Sequence, residues 1–168
     1  EAPSDKTRLA RPPHPALRIY RQLSSTKGVP IMQIINGVEC RTREESLRHI
    51  AQQAKLKKVG PKTEREACGC EYQYPSGNNC AVGSLFNKAQ LKTIKKAGLN
   101  EMAIDYVARD YVGQKNIETV TGMEMKELKK LQELHDGVVQ DRSPQAARDA
   151  LIRYCETELE KLEKAVSQ

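Results

Sequence analysis

The stretch from residue 68 to residue 83 constrains the fold of this chain most, because it combines a strong turn signal with three of the five cysteines. Its central Pro-Ser-Gly-Asn sequence, residues 75–78, suits a tight turn, since Pro fixes its own φ and Gly accepts a positive φ. The flanks 71–74 and 80–82 are short and partly alternating, which is typical of strands. We therefore predict a small central β-hairpin that delivers Cys80 to the start of a helix.

The composition favours a helical protein with an aliphatic core. The chain has 168 residues, of which 30% are charged and only 4% aromatic, with no Trp and a single Phe. This length is sufficient for one domain with its own core. No apolar run approaches the length that a bilayer span requires, so no membrane partner is expected.

The positive charge is concentrated in the N-terminal part of the chain. Residues 1–65 carry 14 Lys and Arg against 6 Asp and Glu, whereas residues 66–168 carry 14 against 16. Residues 1–28 are also rich in proline, and we interpret them as a basic arm that precedes a single α+β domain, residues 29–168. Such an arm indicates attraction to nucleic acid or to an acidic partner, although a solubilising tail has the same composition.

The N-terminal half of the domain begins with a second hairpin signal and a helix start. Asn36-Gly37 lies between β-rich runs, which predicts a hairpin across 30–41. Thr42-Arg43-Glu44-Glu45 is a capping box, so a helix is expected from there to about Lys57. A further helix is predicted from Ser84 to Lys96.

The second half of the domain is expected to be almost entirely helical. Asn100 is predicted to cap a helix that ends near Gly113, and residues 114–120 are predicted to be a connection. A second capping box at 121–124 and the pair Ser143-Pro144 begin two helices that should form an antiparallel hairpin. The predicted fold class is α+β and mostly helical, with four main helices, two small β-hairpins and this C-terminal helical hairpin.

The cysteines suggest two kinds of chemistry. Cys68, Cys70, Cys80 and His135 contain the ligand types of a Cys₃His zinc site, although the C-x-C-x₉-C spacing lacks a C-x-x-C knuckle. Cys80 is also a candidate nucleophile with His135 as its base, because a helix N-terminus lowers a thiol pKa. Asp136 is not expected to orient the ring of its helix neighbour His135. Buried thiols that pack as apolar groups are the alternative, and no cofactor other than zinc is suggested.

Nucleic-acid contact is suggested by clustered basic residues. No helix-turn-helix or RNA-binding aromatic signature accompanies them, so a solvated surface remains the alternative. The candidate phosphate contacts, with one tyrosine among them, are Arg8, Arg11, Arg18, Tyr20, Arg21, Lys55, Lys57, Lys58 and Lys62.

Residues 42–140 resemble a group of small uncharacterised proteins of tailed phages and prophages. The resemblance is carried by the motifs Thr42-Arg43, Cys70-Glu71-Tyr72, Cys80-Ala81-Val82-Gly83-Ser84-Leu85 and Leu131-Gln132-Glu133-Leu134-His135-Asp136. It does not extend to the basic arm or the first hairpin, and it departs at Gln73 and at the extra Cys68. It implies a phage-encoded accessory protein of the bacterial host cytoplasm or of the virion.

Three functions follow in order of preference. The first is a non-catalytic binding protein that engages a host or virion protein, with Tyr72 and Tyr74 of the central hairpin joining the arm residues Arg8, Arg11, Arg18, Tyr20 and Arg21 in the contact surface. The second is a nucleic-acid-binding accessory protein, and the third is a cysteine- or zinc-dependent enzyme. The oligomeric state is left open.

Overall fold

The computed structural model describes residues 33–35, 38–62, 71–141 and 143–167. The predicted basic arm and the Asn36-Gly37 turn lie outside these residues, as do Cys68 and Cys70. Two strands of three residues each, β1 (Gln33–Ile35) and β2 (Val38–Cys40), pair antiparallel, with Ile35 opposite Val38.

The predicted α+β class with two β-hairpins is wrong. The described part of the chain is mostly helical, with six α-helices, and the short β1–β2 ribbon does not form a sheet layer there. The helices are α1 (Arg43–Lys55), α2 (Lys88–Lys96), α3 (Ile104–Val107), α4 (Gln114–Thr121), α5 (Met125–Asp141) and α6 (Pro144–Val166).

Helix α1 begins where its capping box predicts. The hydroxyl of Thr42 accepts a hydrogen bond from the backbone N–H of Glu45, and the Glu45 carboxylate accepts one from the backbone N–H of Thr42. The buried face of α1 carries Leu47, Ile50 and Ala54. This face packs against α6, which also packs along α5.

The predicted helix over 84–96 is divided into two elements. Gly83–Leu85 form a single 3-10 turn, and α2 begins only after Asn87, whose side chain makes a capping box with Gln90. The prediction of one helix over 84–96 missed this cap, although Asn followed three residues later by Gln is a variant of the capping-box pattern.

The segment 114–120 is a helix, α4, and the prediction of a connection there is wrong. Helix α3 continues into a π-helical turn, Ala108–Val112, and Gly113 with φ 88° separates that turn from α4. The second predicted capping box is also wrong, because Thr121 is the last residue of α4. Its hydroxyl donates to the carbonyl of Ile117, one turn back in the same helix.

Helices α1, α5 and α6 are joined by one ion-pair cluster. The guanidinium of Arg43 donates two hydrogen bonds to Glu127, at 2.8 and 2.7 Å, and a third to Glu158 at 2.6 Å. These carboxylates raise the pKa of Arg43, with the hydrogen bond to Glu127 as the largest cause. The cluster fixes the three helices around a core that extends from Leu47 to Leu159.

Candidate functional site: a basic cleft

A cleft of about 1040 Å³ lies where four separate segments of the chain meet. One wall is the outer face of α1 and the loop that follows it, and the others are the turns at 76–79 and 84–88 and the side chain of Arg148 on α6. We call this feature the basic cleft. Its lining includes six cationic residues, which are Arg41, Lys57, Lys58, Lys62, Lys88 and Arg148.

No Asp or Glu is among the described residues that line the basic cleft. The other lining polar groups are amides, hydroxyls and His49, all of which are neutral or potential donors. A second depression of about 290 Å³ has the opposite character, because it contains Glu101, Asp105, Glu133 and Asp136 against a single Lys129. The charge is therefore separated over the surface, and the basic cleft is suited to an anion.

Lys57 is held in the basic cleft by an uncommon backbone conformation. It is the one non-glycine among the described residues with a positive φ, at 56°. Helix α1 ends in a Schellman motif, in which Lys57 N–H bonds to the Ala54 carbonyl at 3.0 Å and Lys58 N–H to the Gln53 carbonyl at 2.9 Å. Glycine is the residue that this position ordinarily favours, so the lysine is retained at a conformational cost.

We expect Lys57→Gly to raise the free energy of unfolding by about 0.5–1 kcal/mol, because the Cβ strain of the left-handed conformation is removed. If the cleft holds an anionic polymer, the same change should weaken its binding about fivefold, since one cation is lost. Urea unfolding and a binding titration measure the two effects. Lys55→Gln is the matched control, because Lys55 lies outside the cleft and pairs with Glu156. A Gly variant that is less stable than the parent would contradict this interpretation.

Two buried side chains fix the loop that carries Lys57, Lys58 and Lys62. The amide of Asn78 donates to the carbonyls of Lys57 and Gly60, at 3.0 and 2.9 Å. The guanidinium of Arg148 donates to the carbonyls of Val59 and Pro61, at 3.3 and 3.4 Å. The loop is thus anchored from both α6 and the turn at 75–78.

Arg148 brings a charge into the wall of the basic cleft without a carboxylate partner in the described part of the chain. The residue is 8% exposed, and its Nε is buried with no hydrogen-bond partner among the described residues. Burial lowers the pKa of Arg148 from its ordinary value, although an arginine remains protonated in proteins. A buried cation of this kind is costly, and a bound anion would offset that cost.

His49 contributes a neutral ring to the basic cleft rather than a charge. One ring nitrogen, Nε2, lies 3.0 Å from the carbonyl of Ser84 and donates to it. Burial and, second, the neighbouring Arg41 lower the pKa of His49. The ring is therefore uncharged at neutral pH, and the positive charge of the cleft comes from Lys and Arg alone.

The central stretch forms the predicted turn but not the predicted hairpin. Tyr74 N–H bonds to the Asn78 carbonyl at 2.8 Å, and Gly77 has a φ of 85°. The two flanks of the turn pair at one isolated antiparallel bridge, between Gln73 and Asn79, and Cys80 N–H bonds to the Tyr72 carbonyl at 3.3 Å. The same stretch is also bonded to Asn100: Tyr72 N–H bonds to the Asn100 carbonyl, and Gln73 exchanges two hydrogen bonds with the Asn100 amide. Asn100 thus supports this stretch and does not cap a helix.

Tyr72 and Tyr74, which the sequence suggested as contact residues, are each 1% exposed and pack in the core. Tyr74 has its hydroxyl 3.5 Å from His135 Nε2, and His135 Nδ1 lies 3.3 Å from the carboxylate of Asp136. The expectation that Asp136 does not orient this ring is therefore wrong. Because His135 is fully buried, its contact with Tyr74 ties the central stretch to α5 within the core, whereas Asp136 is partly exposed.

The thiol of Cys80 is placed for packing. It is 1% exposed, and its sulfur accepts a hydrogen bond from the backbone N–H of Gly83 at 3.2 Å. Cys80 precedes a 3-10 turn of three residues, not the α-helix that the nucleophile hypothesis requires. Cys155 is buried in α6, and burial raises the pKa of its thiol to about 12.

Among the described residues, no three His, Cys, Asp or Glu side chains are grouped so that they could hold a metal ion. Cys68 and Cys70 lie outside the described residues, so the zinc hypothesis stays a prediction. The arm residues Arg8, Arg11, Arg18, Tyr20 and Arg21 also lie outside them.

The sequence found part of the basic cleft. Lys57, Lys58 and Lys62 were among the predicted phosphate contacts and do line it, whereas Lys55 does not. The contributions of Arg41, Lys88 and Arg148 were not predicted. These three are far apart in the chain, so no local sequence pattern groups them with the lysines of the loop.

The described residues define a small, mostly helical protein with a cleft suited to anions. Comparisons of this chain with protein-family models, with curated proteins and with solved structures find no match. Within the described ranges, no helix has the length and apolar character that crossing a membrane requires.

Proposed function

We propose that this protein binds nucleic acid through the basic cleft. The observation that carries the proposal is the set of six cationic residues around one concavity whose described lining contains no carboxylate. Phosphate backbones are bound mainly by Lys and Arg, with amides, hydroxyls and backbone N–H groups as additional donors. The cleft offers the same donor types, from Asn78, Asn79 and Asn87.

The anchoring of the lysine loop supports the proposal. Flexible lysines on a solvated surface lose side-chain and backbone freedom when they bind, which weakens association. Here Lys57 and Lys58 belong to a loop whose carbonyls are held by Asn78 and Arg148. Its backbone is also bonded to Asn79, through Gly60 N–H at 2.8 Å and the Lys58 carbonyl at 3.2 Å. The conformational entropy of this loop is therefore lost when the protein folds and not when it binds its ligand.

The resemblance to tailed-phage proteins fits this proposal in one respect. The resemblance implies an accessory protein that engages a host or virion macromolecule, and nucleic acid is one such macromolecule. A protein partner with a strongly acidic surface is the competing occupant of the same cleft. Competition by an acidic polypeptide distinguishes such a partner from nucleic acid.

The test is a fluorescence-anisotropy titration of the full chain with a labelled oligonucleotide, at salt concentrations between about 50 and 200 mM. Binding should weaken as salt rises, with a slope of log K against log salt between about −2 and −4, because each single-strand phosphate contact contributes about −0.7. An unlabelled oligonucleotide should compete, whereas an acidic polypeptide such as polyglutamate should compete poorly. Absence of binding at low salt, or equal competition by polyglutamate, would contradict the proposal.

A further inference from the structure

The basic cleft contains apolar side chains that phosphate binding does not require. Leu56 lines the cleft and is 53% exposed, and Phe86 lines it from the opposite turn. Phe86 is the single phenylalanine of the chain. It is only partly buried, and its ring meets the ring of Tyr72 edge-on, with centroids 6.1 Å apart.

Each of these apolar residues is followed closely by lysine. Leu56 precedes Lys57 and Lys58, and Phe86 lies two residues before Lys88. All five side chains belong to the lining of the same cleft. Cations that alternate with an aromatic and an aliphatic surface match a chain of phosphates whose bases are free to stack.

We propose that the basic cleft binds single-stranded nucleic acid, with an unstacked base against Phe86 and Leu56 and the flanking phosphates on Lys57, Lys58 and Lys88. This inference rests on the proposed function and adds the class of substrate. A duplex presents the same phosphates but keeps its bases inside the stack, so it cannot use the apolar wall.

Charge complementarity decides which occupant covers the apolar wall. A hydrophobic peptide would offer no counter-charge to Lys57, Lys58 and Lys88, whereas an unstacked strand supplies one phosphate for each base. The occupant is therefore one polymer that is apolar and anionic at a regular spacing, and single-stranded nucleic acid has both properties.

The experiment compares three probes on the unmodified full chain: a single strand, the duplex of the same sequence, and a single strand in which the central nucleotides are abasic. We expect the natural single strand to bind about tenfold more tightly than either of the others at equal salt, because base–aromatic stacking is lost in both. The salt dependence of the natural and abasic strands should be the same, since both carry the same phosphates.

Phe86→Leu provides the variant, because it keeps an apolar side chain and removes the aromatic face. It should lower the affinity for the natural strand about fivefold to tenfold and leave the affinity for the abasic strand unchanged. Met102→Leu is the matched control, since Met102 is 42% exposed and does not line the basic cleft. A strand that contains 5-iodouracil should photocrosslink to the peptide that includes Phe86.

Three outcomes are distinguishable. Preference for the natural strand, with a crosslink at Phe86, supports the inference. Equal binding of natural and abasic strands overturns it and leaves nucleic-acid binding by the cleft intact. Failure of all three probes to bind at low salt overturns both proposals. If Phe86→Leu fails to fold, the comparison of natural and abasic strands on the unmodified chain still decides.

Discussion

The double substitution Lys58→Glu and Lys88→Glu is expected to lower the affinity for an oligonucleotide about 100-fold. Each reversal replaces an attraction to phosphate by a repulsion, which is worth about 1–2 kcal/mol near solvent-exposed charges, so two reversals amount to about 3 kcal/mol. The slope of log K against log salt should become shallower by about 1.4, since two phosphate contacts are lost. The anisotropy titration measures both quantities.

The fold should tolerate these two changes. Lys88 is the first residue of α2, where an acidic side chain is favoured by the helix dipole, and Lys58 is exposed in the loop after α1. Urea unfolding is therefore expected to show equal or slightly greater stability. A loss of binding in a stable variant would separate function from folding.

Two matched variants test whether the location of the charge or its total amount matters. Lys92→Glu with Lys96→Glu changes the net charge equally, on exposed positions of α2 that do not line the basic cleft. Replacing Arg8, Arg11, Arg18 and Arg21 by Gln lowers the net charge by the same amount, this time in the predicted arm. We expect a smaller loss from both. Loss of binding in the arm variant alone would assign the contact to the arm and contradict the cleft.

Gly122→Ala is expected to be the most destabilising single substitution of those considered, at about 3–4 kcal/mol. Gly122 has a φ of 64°, so any Cβ costs about 1–2 kcal/mol in backbone strain. A Cβ at this position would also overlap the carbonyl of Arg41 and the backbone of Thr42 and Arg43. Overlap with backbone adds about 1–3 kcal/mol, because no side chain can rotate away. Urea unfolding followed by circular dichroism measures the loss.

Gly98→Ala is the control that separates strain from overlap. Gly98 also has a positive φ, 72°, but a Cβ built there meets nothing within 4 Å. We expect this variant to lose only the strain contribution, about 1–2 kcal/mol. If the two alanine variants lose equal stability, the close approach of Gly122 to the start of α1 does not carry the effect that we assign to it.

The Gly122 contact also connects stability with the basic cleft. Arg41 N–H bonds to the Val120 carbonyl at 3.0 Å, and the hydroxyl of Ser46 donates to the Thr121 carbonyl. The end of α4 therefore holds the entry to α1, where Arg41 reaches the cleft. A partly folded Gly122 variant should consequently bind oligonucleotide more weakly than its remaining folded fraction predicts.

Local sequence patterns predicted the structure correctly where the hydrogen bonds that they imply join residues within one helical turn. The Thr42–Glu45 box and the Ser143-Pro144 start were both found correctly, because a capping side chain and its partner are three residues apart. The similar pattern at 121–124 failed since Thr121 is the last residue of α4 and α5 begins only at Met125. A capping pattern does not show whether its first residue ends another element.

The apolar residues of α6, which recur every three or four positions and so share one face, show a second limit of local patterns. Leu151, Cys155 and Leu159 are buried as their spacing predicts, but Val166 at the end of the same face is 88% exposed. Periodicity indicates which face of a helix is apolar, and it does not indicate how far the neighbouring helices extend along that face.

By itself the sequence determined the helix starts at Thr42 and Ser143, the turn around Gly77, and a group of lysines between 57 and 62. The tertiary structure decided that the central turn is held by a single bridge and by Asn100 rather than by a two-stranded hairpin, and that Lys58, Lys88 and Arg148 surround one cleft. The physical reason is separation along the chain. A cap or turn forms hydrogen bonds among residues three or four apart, whereas a cleft depends on which distant segments pack together.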